Sequence, residues 1–77
     1  MVEAFVLVQA EVGASSAVAA ALAQLKGVTF TDIVTGPYDV IARAKAENIG
    51  ELGRMVVLNI QSVKGVTRTL TCPIIRL

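Results

Sequence analysis

The chain has 77 residues, of which 55% are hydrophobic and 17% charged, with a formal net charge of +1. No apolar run approaches the roughly 18 residues of a membrane-spanning helix, Glu3 argues against a signal peptide, and no basic patch suits nucleic acid. A single small core cannot bury as much apolar surface as this chain carries, so we expect a homo-oligomer. We also expect it to be cytoplasmic, with no direct contact to nucleic acid or membrane.

Residue types that carry catalysis are scarce. The chain has no histidine and a single cysteine, Cys72, which excludes an internal disulfide and a typical zinc site. We expect Cys72 to fill space in a strand as a small apolar residue. Neither a phosphate-binding glycine loop nor a suitably spaced pair of carboxylates is present. The sequence therefore predicts a non-enzyme without catalytic residues, metal or cofactor.

The first third of the chain predicts a strand and then a helix. Val2–Val12 is apolar on both faces, which is typical of a strand that is covered on both sides. Gly13 breaks the strand, and Ser15 or Ser16 is expected to cap a helix that runs to Leu25. An apolar stripe on this helix faces the sheet and consists of Val18, Leu22 and Leu25.

A hairpin is predicted next, with strands Val28–Thr35 and Tyr38–Lys45. Gly36 and Pro37 form its turn, because glycine accepts positive φ and proline presets φ for a corner. Asp32 is out of place among apolar residues, which an edge position or an arginine partner would explain.

A second helix follows the hairpin. Asn48 is expected to cap it, with Glu51 at the capping-box position. Gly50 and Gly53 weaken its start, and either an approaching backbone or ligand, or tight packing on a strand, would account for them. Its apolar residues recur at helical spacing and are Ile49, Leu52, Val56 and Ile60.

The last predicted strand is Val66–Ile75, in which Pro73 lacks an amide donor and so belongs at a sheet edge. We therefore predict one α+β domain, residues 1–77, with the ferredoxin-like βαββαβ order. It has a four-stranded antiparallel sheet, the first and third strands central, and two helices on one face. Phe5, Leu7 and Ile41 share the other face, so two copies are expected to dimerise through their sheets.

Binding chemistry is better represented than catalysis. Backbone amides of Gly36–Asp39 suit the carboxylate of a small zwitterion, and the Asp39 side chain suits its ammonium group. Hydroxyls of Thr69 and Thr71 on an edge strand could add to either contact. Alternatively, Tyr38 packs over the hairpin while Asp39 bonds the turn amides, and the threonines reflect ordinary strand preference.

Two segments carry a family resemblance over essentially the whole chain. Gly36-Pro-Tyr-Asp-Val-Ile-Ala and Val63-Lys-Gly-Val-Thr-Arg-Thr-Leu-Thr resemble the effector domain of the Lrp/AsnC transcription regulators. The resemblance implies the split βαβ fold, dimers joined through their sheets, a higher oligomer such as an octamer, and binding of amino acids or related metabolites between subunits. It implies effector contacts at Gly36, Tyr38 and Asp39, with Thr69 and Thr71 nearby.

Full regulators of this family carry an N-terminal helix-turn-helix domain, whereas this sequence starts at the first strand. It thus resembles the stand-alone form of the effector domain, which either senses metabolites alone or joins full-length Lrp/AsnC regulators. The leading hypothesis is an amino-acid-binding, oligomerising module for transcription regulation. The alternative is a small ferredoxin-like oligomeric enzyme of the monooxygenase or isomerase type.

Overall fold

The computed structural model describes all residues, 1–77. Its strands are β1 (Val2–Ala10), β2 (Val28–Ile33), β3 (Val40–Ala46) and β4 (Val66–Pro73). Helix α1 covers Ser15–Ala23, and helix α2 covers Ile49–Met55 and continues into a π-helical segment, Val56–Ile60. This is the predicted βαββαβ order. No helix is both long and apolar enough to cross a membrane.

The four strands form one antiparallel sheet in the order β2-β3-β1-β4, so β1 and β3 are central, as predicted. Strand β1 pairs with β3 from Val2–Ala46 to Val8–Val40, and with β4 along its other edge. These two strands are also the ones with the most continuous apolar character in the sequence.

The core lies between the sheet and the helices. Alternate residues in the middle of β1 and β3 are fully buried there, because side chains alternate between the two faces of a strand. The predicted helical stripes supply the other side, except that Ile49 is 59% exposed at the first position of α2. The main buried side chains are Val6, Val8, Val18, Leu22, Val40, Leu52, Val56 and Ile60.

The two helix starts differ from each other. The prediction that a serine caps α1 is wrong. Ala14 is the N-cap and makes no side-chain hydrogen bond. Its backbone amide donates to the Glu11 carbonyl at 2.9 Å. The backbone turn at Gly13 thus leads into the helix directly, and the serines are already helical. Asn48 caps α2 as predicted, since its side chain accepts from the Glu51 amide at 2.9 Å. The Glu51 carboxylate pairs with Arg54.

Edge positions resolve two irregularities of the sequence. Asp32 lies exposed on the edge strand β2 and forms no ion pair, so the edge explanation is the correct one. Arg43 instead pairs with Glu3 at 3.3 Å. Pro73 ends β4, the other edge strand, as its missing amide predicted.

The sheet face away from the helices is apolar at its centre, and we call it the open face. Phe5, Leu7 and Ile41 are half-buried there, and the register places Leu70 beside Leu7. The Phe5 ring lies 6.4 Å from that of Phe30. Cys72 is Phe5's partner in β4 and is exposed, so within one chain it does not fill the core as expected.

Among the glycines, Gly27 has the least space for a side chain. It has φ +92, and a Cβ placed on it would contact the end of the Met55 side chain and lie 2.9 Å from the Lys45 carbonyl oxygen. Its own carbonyl accepts from the Lys45 amide at 2.8 Å. The end of α1, the end of β3 and α2 are therefore held together at a position that has room only for hydrogen.

We expect Gly27→Ala to lower the free energy of unfolding by more than about 2 kcal/mol, because backbone strain and a backbone clash add. Gly13→Ala is the matched control, since its φ is +81 but no atom lies within 4 Å of the added Cβ. Gly13→Ala should lower the free energy of unfolding by only about 1 kcal/mol. Urea unfolding at equal protein concentration measures the stability of both variants. Equal losses of stability would contradict the role of close packing at Gly27.

Candidate functional site

The segment 34–39, between β2 and β3, is the predicted ligand turn. Its ends are joined by a hydrogen bond from the Val34 amide to the Asp39 carbonyl at 2.9 Å. Gly36 has φ +142, a conformation that favours glycine, while no atom lies near the Cβ position. The glycine is therefore required by backbone conformation, and the space above it is open.

Two of the predicted Gly36–Asp39 amides are free. The Gly36 and Tyr38 N–H groups donate no hydrogen bond within the chain, and Pro37 has no N–H to donate. The Asp39 amide, which the sequence placed in the same donor group, instead donates to the Val8 carbonyl at 2.9 Å. Of the predicted amides, two rather than three are therefore free for a ligand, and the neighbouring Thr35 amide also donates no hydrogen bond within the chain.

Asp39 connects the turn to the end of β1. Its Oδ2 atom accepts from the Ala10 amide at 2.8 Å, where the register between β1 and β4 shifts. The alternative in which Asp39 bonds the turn amides is therefore wrong, because the irregularity at Ala10 leaves an amide that the carboxylate satisfies. The second carboxylate oxygen forms no hydrogen bond or ion pair and remains available.

Gln9 is a turn contact that the sequence did not reveal. Its Nε2 atom donates to the Pro37 carbonyl at 2.8 Å across 28 residues of chain. The only sequence signal was a polar residue inside an apolar strand. Together with the Asp39 contacts, this bond fixes the turn against the last residues of β1.

The two threonines lie apart from the turn. Thr69 pairs in register with Val8 and accepts from Gln61 Nε2 at 2.9 Å, and Thr71 pairs with Val6. Both are therefore in β4 on the helix side of the sheet, because Val6 and Val8 are core residues. Strand β1 separates them from the turn by two strand spacings, about 10 Å. One chain does not bring the five predicted residues into a single site.

Thr71 lines a small apolar groove beside α2, with a volume of about 240 Å³. Gly53 lines the same groove, and no atom lies within 4 Å of a Cβ built on it. Gly50 has only the Asn48 side-chain oxygen nearby, at 3.3 Å. Tight packing on a strand therefore explains neither glycine.

Comparison with known proteins agrees with this architecture. The family model described as the Lrp/AsnC ligand binding domain matches residues 3–77. An uncharacterised HTH-type transcriptional regulator of Pyrococcus furiosus is 35% identical over 54 residues, which cover 70% of this chain and 36% of the regulator. The match thus spans about a third of the length of that curated relative.

Solved structures show the same fold. A Thermus thermophilus protein is 36% identical with a TM-score of 0.92, covering 100% of this chain and 96% of that one. A transcriptional regulator of Neisseria meningitidis, solved as an L-Met complex, is 19% identical with a TM-score of 0.87, covering 97% of this chain and 50% of that one. At this identity the second likeness shows the fold alone.

We expect Asp39→Ala to destabilise the protein by about 1–3 kcal/mol, because the half-buried Ala10 amide loses its acceptor. Asp39→Asn is the matched variant, since an amide oxygen can still accept that hydrogen bond. This variant should lose clearly less stability than Asp39→Ala. Chemical denaturation at fixed protein concentration provides the comparison. Equal destabilisation by both variants would show that the negative charge, not the hydrogen bond, holds the turn.

Proposed function

The chain belongs to the Lrp/AsnC ligand-binding domain family, and we propose that it is an oligomerising module that binds an amino acid or a closely related metabolite in transcription regulation. The observation that carries this proposal is the turn 34–39. It combines three unused backbone donors, on Thr35, Gly36 and Tyr38, with one unused carboxylate oxygen on Asp39. These groups match the carboxylate and the ammonium of a zwitterion.

The turn holds its donors in place before a ligand arrives. The Asp39 amide, its Oδ2 atom and the Gln9 side chain are all bonded to fixed partners. A ligand therefore meets a backbone that needs little further ordering, which lowers the entropy loss on binding. The L-Met complex of the Neisseria regulator, which has the same fold, makes an amino acid a reasonable choice of ligand.

Thr69 and Thr71 join the site only if a second copy supplies them. They lie about 10 Å from the turn in their own chain, beyond the reach of a single small ligand's polar groups. We propose that the turn of one subunit meets β4 of another at a seam between dimers. A higher oligomer such as an octamer then completes each site.

The dimer itself forms through the open face. Phe5, Leu7 and Ile41 remain partly exposed there, and Phe30 and Leu70 are 39% and 47% exposed. Burying this continuous apolar surface against a second sheet removes it from water. Full-length regulators of the same family could use the equivalent face to join this chain.

The alternative of a small enzyme has less support. A ferredoxin-like catalyst needs polar side chains in a cavity between its sheet and its helices. All 12 buried residues of this chain are apolar, and no buried polar or charged side chain lies there. We therefore propose a binding module rather than a catalyst.

A thermal-shift panel of the L-amino acids tests ligand binding. One or more should raise the melting temperature, with about 2.7 kcal/mol of stabilisation at a hundredfold excess over the dissociation constant. Asp39→Asn should weaken that binding about tenfold or more, because the ligand ammonium loses its charged partner. Asp32→Asn, which removes an exposed carboxylate on β2, should bind normally. A flat panel would contradict the proposal, as would equal weakening by both variants.

Sedimentation tests the dimer. Leu7→Glu places a charge in the middle of the open face and should give a folded single subunit at micromolar concentration, whereas the unaltered protein sediments as a dimer or larger. Val12→Glu is the control, since Val12 is fully exposed outside the sheet. A folded, monomeric unaltered protein would overturn dimerisation.

A further inference from the structure

Each strand of the sheet carries side-chain charge of one sign, and the sign alternates from strand to strand. The only charged residue of β2 is Asp32, and the only one of β1 is Glu3. Strand β4 carries Arg68 alone, and β3 carries Arg43 and Lys45. In the sheet order β2-β3-β1-β4, the charges are therefore negative, positive, negative and positive.

All of these charges lie on the open face. Side chains alternate between the two faces of a strand, and those of β1 and β3 that point to the helices are the core residues. Glu3 and the two cations of β3 occupy the alternate positions, and so does Gln9. Asp32 is the cross-strand partner of Ile41, and Arg68 is the partner of Gln9, so both share that face.

Asp32 and Arg68 have no ion-pair partner within the chain. Glu3, by contrast, pairs with Arg43 at 3.3 Å and with Arg76 at 3.1 Å. Asp32 and Arg68 lie on opposite edge strands, about 14 Å apart across three strand spacings, which is too far for them to pair with each other. Both residues are exposed. In a single chain these two charges are thus left without a partner.

A two-fold dimer through the open face can be built in two orientations. With the axis along the strands, β2 lies over the partner's β4, and β3 lies over the partner's β1. Every strand then faces one of opposite charge. With the axis across the strands, each strand lies over its own equivalent, and like charges face each other. Since like charges in contact oppose association, the charge pattern favours the first orientation.

The first orientation also brings Asp32 and the partner's Arg68 within reach of each other. Asp32 is level with Leu70 along the sheet, because Ile41 and Leu7 connect the two across the strands. Arg68 is two residues from Leu70, which is about 7 Å along β4. Stacked sheets lie about 10 Å apart, a gap that an aspartate and an arginine extended towards each other can bridge. The two-fold axis repeats the same contact at the other edge.

We propose that Asp32 of each copy pairs with Arg68 of its partner, so that two identical ion pairs set how the open faces meet. The proposal rests on the dimer proposed above and adds its orientation and its selectivity. The apolar centre supplies most of the association free energy, because exposed ion pairs contribute little, so a neutral variant such as Asp32→Asn still dimerises. The two charges instead reject a second chain that has a cation in place of Asp32 or an acid in place of Arg68.

Charge reversal tests the ion pairs. Asp32→Arg and Arg68→Asp each create two like-charged contacts in the dimer, and each should raise its dissociation constant about tenfold or more. Sedimentation at a series of protein concentrations measures this constant. The double variant Asp32→Arg/Arg68→Asp restores both pairs with exchanged signs and should dimerise as tightly as the unaltered protein. Glu47→Arg and Lys64→Asp are the matched controls, because they change the net charge equally at exposed positions outside the sheet and should leave the dimer unchanged.

A mixture of the two single variants provides a second measurement. In a dimer of one Asp32→Arg chain with one Arg68→Asp chain, opposite charges meet at both contacts. Native mass spectrometry distinguishes the chains by mass and should show this mixed dimer well above its random share. A random distribution, or a double variant that dimerises as weakly as the single variants, would overturn the ion pairs while leaving the dimer in place. An unaltered protein that sediments as a monomer would overturn the dimer itself, and the ion pairs with it.

Discussion

Pairing of β1 on both edges is the constraint on which the rest of the structure depends. Its even-numbered residues close the core against the helices, while Phe5 and Leu7 face away from them. Since two short helices cover only one face of a four-stranded sheet, the same strand that builds the core also creates the open face. A chain with 55% hydrophobic residues is thereby committed to an apolar surface that association would bury.

The end of β1 also organises the ligand turn. Val8, Gln9 and Ala10 each supply one hydrogen-bonding group to the segment 34–39, through a carbonyl, a side-chain amide and a backbone amide. A register irregularity at Ala10 leaves that last amide for the Asp39 carboxylate. The turn is thus fixed by the central strand, and its remaining free groups are aligned by backbone that is already ordered.

The two ends of the sheet differ in chemistry. At the turn, donors come from backbone and the single charge is negative, which suits a ligand with a cationic group. At the other end, α2, the Lys26–Gly27 connection and the chain after β3 enclose a cleft of about 500 Å³. About 20 Å of β3 separates them.

The sequence by itself determined the order of elements, the central strands and most of the core. Those features follow from side-chain periodicity, which is local: alternate residues share a strand face, and residues three or four apart share a helix face. It also located the turn, because glycine accepts positive φ and proline fixes φ at their own positions. The predicted strand ends and the predicted N-cap of α1 differ from the structure by one or two residues, because backbone hydrogen bonds decide where each element begins and ends.

Only the tertiary structure decided which groups meet. The Gln9–Pro37 and Asp39–Ala10 bonds span 28 and 29 residues, and they exist because the strand register aligns those positions. Register likewise placed Thr69 and Thr71 two strands from the turn, and packing brought Gly27 against Lys45 and Met55. Such contacts depend on how distant segments pack, and no local pattern in the chain encodes them.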